Sequence, residues 1–169
     1  MDEVSDLQQF PVFGGISSEV ITELMFNSNI YNLTQGDYLF REGDKATSFF
    51  VILYGELFIS KRGSGQDISL NYLRRGDCVG EVALFDLLPR TASARATTLT
   101  RCIEVSSRQL LDVYKKDVLQ FVLFQMNLGR ELARRLRDAD IRLIELHSQR
   151  HEMSVAASLP QSFTVQRIH

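Results

Sequence analysis

Hydrophobic and polar positions change rhythm twice along the chain. In the first 30 residues the apolar positions recur at helical spacing. Val20, Ile21, Leu24 and Met25 share one face of a segment opened by Ser17-Ser18-Glu19, a serine cap followed by an acid in the first turn. "PVFGG", just upstream, breaks any earlier helix. From Tyr31 to Val105 the text becomes short apolar runs: "YLF", "SFFVILY", "ELFISK", "DISLNYL" and "TRCIEV". They are rich in β-branched and aromatic residues and are strand-length. Gly36-Asp37, Gly43-Asp44 and Gly76-Asp77 punctuate them, and "RGSGQD" at 62–67 reads as a hairpin tip. Regular short strands with glycine turns predict an antiparallel sandwich or barrel.

From Ser107 the period is helical again. "SSRQLLDVYKK" predicts a short helix with Leu110, Leu111 and Tyr114 facing inward. A long helix follows from about Val118 to about Gln149, with no proline and only Gly129 to interrupt it. In it Leu132, Leu136, Ala139, Leu143 and Leu146 are spaced 4, 3, 4, 3, a heptad seam suited to a partner helix and so to a homodimer. The expected organisation is an N-terminal helical segment (1–30), a β-roll (31–106), C-terminal helices (107–150) and a flexible tail (151–169).

Bulk numbers narrow the function classes. Of 169 residues 44% are hydrophobic and 24% charged, the balance of a globular domain with a real core. A formal net charge of −2 gives no global pull toward nucleic acid or an anionic membrane. No apolar run reaches the ~20 residues of a membrane span, and Met1-Asp2-Glu3 does not open like a signal peptide. Cys78 and Cys102 read as free buried thiols in a reducing compartment, which points to the cytoplasm.

Most chemistries lack their residues. His147, His151 and His169 all lie beyond the β region, so no barrel strand offers a metal ligand; His147 and His151, four apart, have no third ligand nearby. Ser93, Thr91 and Cys78 have no histidine to activate them, and Glu81 has no held nucleophile to serve as base. An enzyme is therefore not expected. Lys61-Arg62 and Arg74-Arg75 sit at turns, and about 20 residues after the long helix leave no room for a helix-turn-helix.

One stretch stands out, "VGEVALFDLLPRTASARA" at 79–96. A lone acid, Glu81, and a lone arginine, Arg90, stand in a run that reads as buried. Either they neutralise each other or a ligand comes between them. Thr91-Ala92-Ser93 are small, so backbone N–H groups can approach a phosphate, and a guanidinium offers forked donors. Glu81, behind a glycine, can accept from sugar hydroxyls. One cation and one anion fit a singly charged nucleotide, and a cyclic monophosphate matches that inventory.

These residues resemble the phosphate-binding cassette of the cyclic-nucleotide-binding domain family. That family includes the bacterial catabolite activators, the regulatory subunits of cyclic-AMP-dependent kinase and cyclic-nucleotide-gated channels. Gly80-Glu81-Val82-Ala83-Leu84, the spacer "FDLL" and Pro89-Arg90-Thr91-Ala92-Ser93 follow its pattern. "LTQGDYLFREGDKATSFFVILYGELFIS" and "LRRGDCVGE" extend the similarity to about residues 10–146. The resemblance implies a mainly β fold with flanking helices: an eight-stranded antiparallel jelly-roll barrel, a short N-terminal helix and a long C-terminal lid and dimerisation helix.

It further implies that Glu81 accepts the ribose 2′-hydroxyl and Arg90 pairs with the cyclic phosphate. Gly80, Val82 and Ala83 would supply backbone and wall, and Thr91 with the Ala92 amide the rest of the cradle. Ala133-Arg134-Arg135-Leu136 matches the lid helix of the bacterial activators, but Ala139-Asp140 replaces their following Thr-Ser. Arg134, Arg137, Asp138 and Ile141 are the candidate substitutes at the base. The implied ligand is cyclic AMP, with cyclic GMP also open because of Thr91. No metal and no prosthetic group is implied, and the signal would pass through the C-terminal helix to another protein rather than directly to DNA. The alternative is a ligand-free dimeric scaffold in which Glu81 and Arg90 form a salt bridge.

Overall fold

The computed structural model describes residues 3–63 and 65–158. Eight strands form two four-stranded antiparallel sheets. The first, in the order β1-β8-β3-β6, contains β1 (Ile30–Leu33), β3 (Ser48–Tyr54), β6 (Cys78–Val79) and β8 (Thr100–Ser106). The second, in the order β2-β7-β4-β5, contains β2 (Tyr38–Phe40), β4 (Glu56–Gly63), β5 (Gln66–Arg74) and β7 (Ser93–Ala96). The hydrogen-bond ladders among the described residues keep the sheets separate and close no barrel.

Register explains the unbroken apolar text of "SFFVILY". In β3, Phe49 and Val51 join Ile103 and Val105 of β8 in a core shared with helices, including Phe13, Ile21, Leu24, Phe124 and Leu128. The alternate residues Phe50 and Ile52 join Cys102 and, from the second sheet, Leu57, Leu73, Ala94 and Ala96. Both faces of β3 are buried, so alternation vanishes from the sequence.

The three Gly-Asp pairs are one device used three times. Thr34, Arg41 and Arg74 each donate a backbone N–H to the carboxylate of the aspartate three residues on, at 2.8, 2.7 and 2.8 Å. The glycine between takes φ of 96, 87 and 88°, which glycine adopts without a Cβ clash.

Helices flank the sheets. Ahead of the first strand lie α1 (Glu3–Leu7), a turn of 3₁₀ helix (Pro11–Phe13) and α2 (Ser18–Phe26); sequence periodicity had signalled only the last. Ser17 caps α2 by accepting from the Val20 N–H, and Val20, Ile21 and Leu24 are buried. A five-residue helix, α3 (Val82–Asp86), follows β6. Next come α4 (Ser107–Lys116) and α5 (Val118–Ser158). A capping box at Ser106 and Gln109 opens α4.

Two expectations need correction here. α4 buries Leu110 and Val113, not Leu111 and Tyr114, which are exposed. The inward stripe follows the three-residue step from 110 to 113, about 60° apart; 111 lies about 100° beyond 110 on the side away from 113, and 114 about 100° from 113, at the stripe's edge. α5 runs past Gln149 to Ser158, because 150–158 contains neither glycine nor proline and the next breaker is Pro160. The remainder of the expected tail, 159–169, lies outside the described residues. The chain divides into one compact unit ending at Leu132 and a second starting at Ala133. In the second unit Leu136, Leu143 and Leu146 of the heptad seam are exposed. No helix among the described residues is long and apolar enough to cross a membrane.

Candidate functional site

Residues 79–96 wrap around Arg90. Its backbone is fixed by a reciprocal clamp on the Gly43-Asp44 turn: Gly43 N–H donates to Arg90 O at 2.8 Å, and Arg90 N–H to Asp44 O at 2.9 Å. Three residues on, Ser93 Oγ accepts from Glu42 N–H at 2.9 Å. The glycine-aspartate turn after β2 therefore places the arginine.

The side chain points inward and is 5% exposed. Nη1 donates to Gly80 O at 2.8 Å, and Nη2 reaches Ser48 Oγ at 3.5 Å. The guanidinium lies over Phe40, 4.3 Å from the ring centroid, and 5.5 Å from Phe50. These two rings stack at 5.9 Å, and Tyr31 meets Phe50 edge-on at 5.4 Å. A planar cation on a stacked aromatic pair is held in orientation as well as in charge. Among the described residues, Arg90 Nε has no hydrogen-bond partner although it is buried, and a buried donor left unmade costs about 1–3 kcal/mol.

Gly80 explains why this close packing needs a glycine. Its φ is 83°, and a Cβ there would collide with Arg90 Nη1 and press on Phe40. The space it clears is taken by the guanidinium.

Electrostatics extend the site beyond the cassette. Burial lowers the Arg90 pKa, and three carboxylates counter it, in the order Glu104, Asp44 and Glu81. Glu104, on β8 opposite Phe50, is the leading counter-charge. Burial pushes its carboxyl up. Hydrogen bonds from Ser48, Asn29 and Tyr31, together with the Arg90 charge, outweigh that and hold it below the usual range. Asn29 Nδ2 and Tyr31 Oη donate to Glu104 Oε2 at 2.9 and 3.2 Å.

The residues chosen from sequence fall into three groups. Gly80, Glu81 and Arg90 come together, with Glu81 1% exposed at the start of α3. Ala83 is buried, Ala92 is half-buried, and Val82 and Thr91 are exposed. Arg134, Arg137, Asp138 and Ile141 belong to the second unit, where each is exposed. Phe40, Asp44, Ser48 and Glu104 were missed. Elsewhere, Cys78 and Cys102 are buried, and burial pushes the Cys102 thiol up to about 12, so it stays protonated. No group of three potential metal ligands occurs among the described residues.

The site's geometry has relatives. Residues 31–117 match the model of the cyclic nucleotide-binding domain. The chain is 31% identical over 157 residues to the cyclic AMP receptor protein of Thermus thermophilus, covering 88% of this chain and 68% of that protein. The chain belongs to the cyclic nucleotide-binding domain family. A cAMP-dependent protein kinase regulatory subunit of Eremothecium gossypii is 46% identical over 63 residues, which are 37% of this chain and 13% of that subunit. The crystal structure of Thermus thermophilus catabolite activator protein superposes with a TM-score of 0.68 at 28% identity. It covers 81% of this chain and 63% of that one. The stretch 79–96 lies inside the matched segment.

Proposed function

We propose that the chain is a non-enzymatic regulatory receptor for a cyclic nucleotide, cyclic AMP first and cyclic GMP second. The observation that carries this reading is Arg90: a buried guanidinium, clamped on Phe40 and Gly80 O, with Nε unpartnered among the described residues. The relatives support it, being a cyclic AMP receptor protein and a cAMP-dependent kinase regulatory subunit. Arg90 receives the cyclic phosphate as a charge-assisted pair. Thr91 and the Ala92 amide complete the cradle, Glu81 accepts the ribose 2′-hydroxyl, and Gly80, Val82 and Ala83 form the wall. The two sheets act as the halves of a jelly roll around this end.

The C-terminal helix is the output. Arg134, Arg137, Asp138 and Ile141 are its candidate base contacts, and the Leu136, Leu143 and Leu146 stripe pairs it with a second copy. Ligand binding favours one position of that helix over another and so changes a surface offered to another, cytoplasmic protein. No prosthetic group takes part.

Calorimetric titration with cyclic AMP and cyclic GMP tests the reading. At least one should bind at micromolar concentration or below, and Arg90→Ala should weaken it by about 1.5–3 kcal/mol, roughly ten- to a hundredfold. No heat from either nucleotide would leave a ligand-free scaffold as the better description. Unchanged binding by the variant would remove Arg90 as the phosphate contact.

A further inference from the structure

The charge that acts most on Arg90 comes from outside the cassette. Glu104 stands on β8, fourteen positions after Arg90 in sequence, and Ser48 links the two side chains. Ser48 is 3% exposed; it meets Arg90 Nη2 at 3.5 Å, and its hydroxyl hydrogen-bonds Glu104. Asn29 and Tyr31 hold the same carboxylate from the other side. An anion delivered to Arg90 enters a cluster that already contains carboxylates, Glu104 first, then Asp44 and Glu81. We propose that Glu104 is a positioning and affinity-setting residue for this site: through Ser48 it holds Arg90 in the unliganded protein, and it opposes the charge of the phosphate that Arg90 receives. This inference rests on the receptor reading above.

The sign of the linkage follows. In the unliganded protein Glu104 is held below the usual carboxylate range. A neighbouring phosphate anion raises its pKa in the complex. A group that binds its proton more tightly in the complex favours the complex as pH falls through the bound-state value. The groups that share its surroundings are Arg90 and Tyr31, with Asp44 and Glu81 reaching it through Arg90. Tyr31 stays a neutral donor, its hydroxyl raised by burial and then by Glu104. A cyclic phosphodiester does not titrate in this interval.

Glu104→Gln removes the charge and keeps the shape and one acceptor oxygen for Asn29 and Tyr31. Titrated with cyclic AMP and cyclic GMP at pH 7.5, the variant should bind roughly three- to tenfold more tightly than the native protein. The gap should narrow as pH falls into the carboxylate range, as the native carboxyl takes up a proton in the complex. Equal or weaker binding at pH 7.5, or a gap that does not change with pH, would overturn the proposal. A measurement on the native protein stands even if the variant does not fold. Calorimetry in two buffers of different ionisation heat should show no net proton uptake per ligand at pH 7.5 and uptake that grows as pH falls into the carboxylate range; no uptake down to the lowest pH at which the protein stays folded overturns it. Native protein that binds neither nucleotide defeats the receptor reading, and this inference with it. Native binding with an unaltered Gln variant defeats only the role of Glu104.

Discussion

Gly80→Ala probes the centre of the site, because two separable costs meet there. The first is backbone strain. At φ of 83° an L-residue costs about 1–2 kcal/mol, partly offset by about 0.4–1 kcal/mol from a stiffer unfolded chain. The second is steric. The new methyl would collide with Arg90 Nη1, so the guanidinium must leave Gly80 O, 2.8 Å away, and its seat on Phe40. A hydrogen bond to a charged group contributes about 1.5–3 kcal/mol. The variant should therefore lose about 2–4 kcal/mol in urea unfolding. Gly36→Ala isolates the first cost: its φ is 96° and no atom lies within 4 Å of the added carbon, so it should lose about 1 kcal/mol. The decisive measurement is Gly80→Ala in an Arg90→Ala background, where the collision is gone. There the cost should fall to that of Gly36→Ala, because contacting residues are non-additive. An equal cost in both backgrounds would refute the account of Gly80 as the space for the guanidinium.

Two further outcomes test the frame around the site. Leu110→Ala should cost about 2–4 kcal/mol and Leu111→Ala under about 1 kcal/mol in the same unfolding assay; the reverse order would contradict the inward face of α4. Glu56 accepts from Thr97 Oγ1 at 2.7 Å and from Arg74 Nε at 2.8 Å. These bonds, that of Thr97 first, lower its pKa from the ordinary 4.5. Its stabilisation is therefore present above pH 4.5 and lost as pH falls through the lower folded value. The Tm difference between native protein and Glu56→Gln should be constant near neutrality and shrink below about pH 4.5; a difference that persists in acid would show that the carboxylate charge contributes nothing.

Local rules carried the strands and turns into view, since each Gly-Asp pair is a self-contained device and each run between them is strand-length. The N-terminal α1 and the 3₁₀ turn were not legible, because Phe10, Val12 and Phe13 have no helical period of their own. They are ordered by packing on Phe124 and the first sheet. The face of α4 was misread for a related reason. "LLDVY" offers two adjacent stripes of equal apolarity, and only the sheet behind Leu110 and Val113 chooses between them.

The site divides along the same line. Gly80, Glu81 and Arg90 were visible because their chemistry is odd against an apolar background within one stretch of 18 residues. Glu104 was no less odd within "TRCIEVS", yet nothing local distinguished it. A strand buried on one face betrays an inward acid by breaking alternation. β8 is buried on both faces, with Ile103 and Val105 against the helices and Cys102 between the sheets; parity puts Glu104 on the Cys102 face, but the sequence has no alternation there for an acid to break. Only the register that sets it opposite Phe50, in the ring cluster beneath Arg90, turns a stray carboxylate into the arginine's leading counter-charge. The stretch 79–96 thus supplies the cation, while a strand outside it supplies the leading charge of the field around that cation.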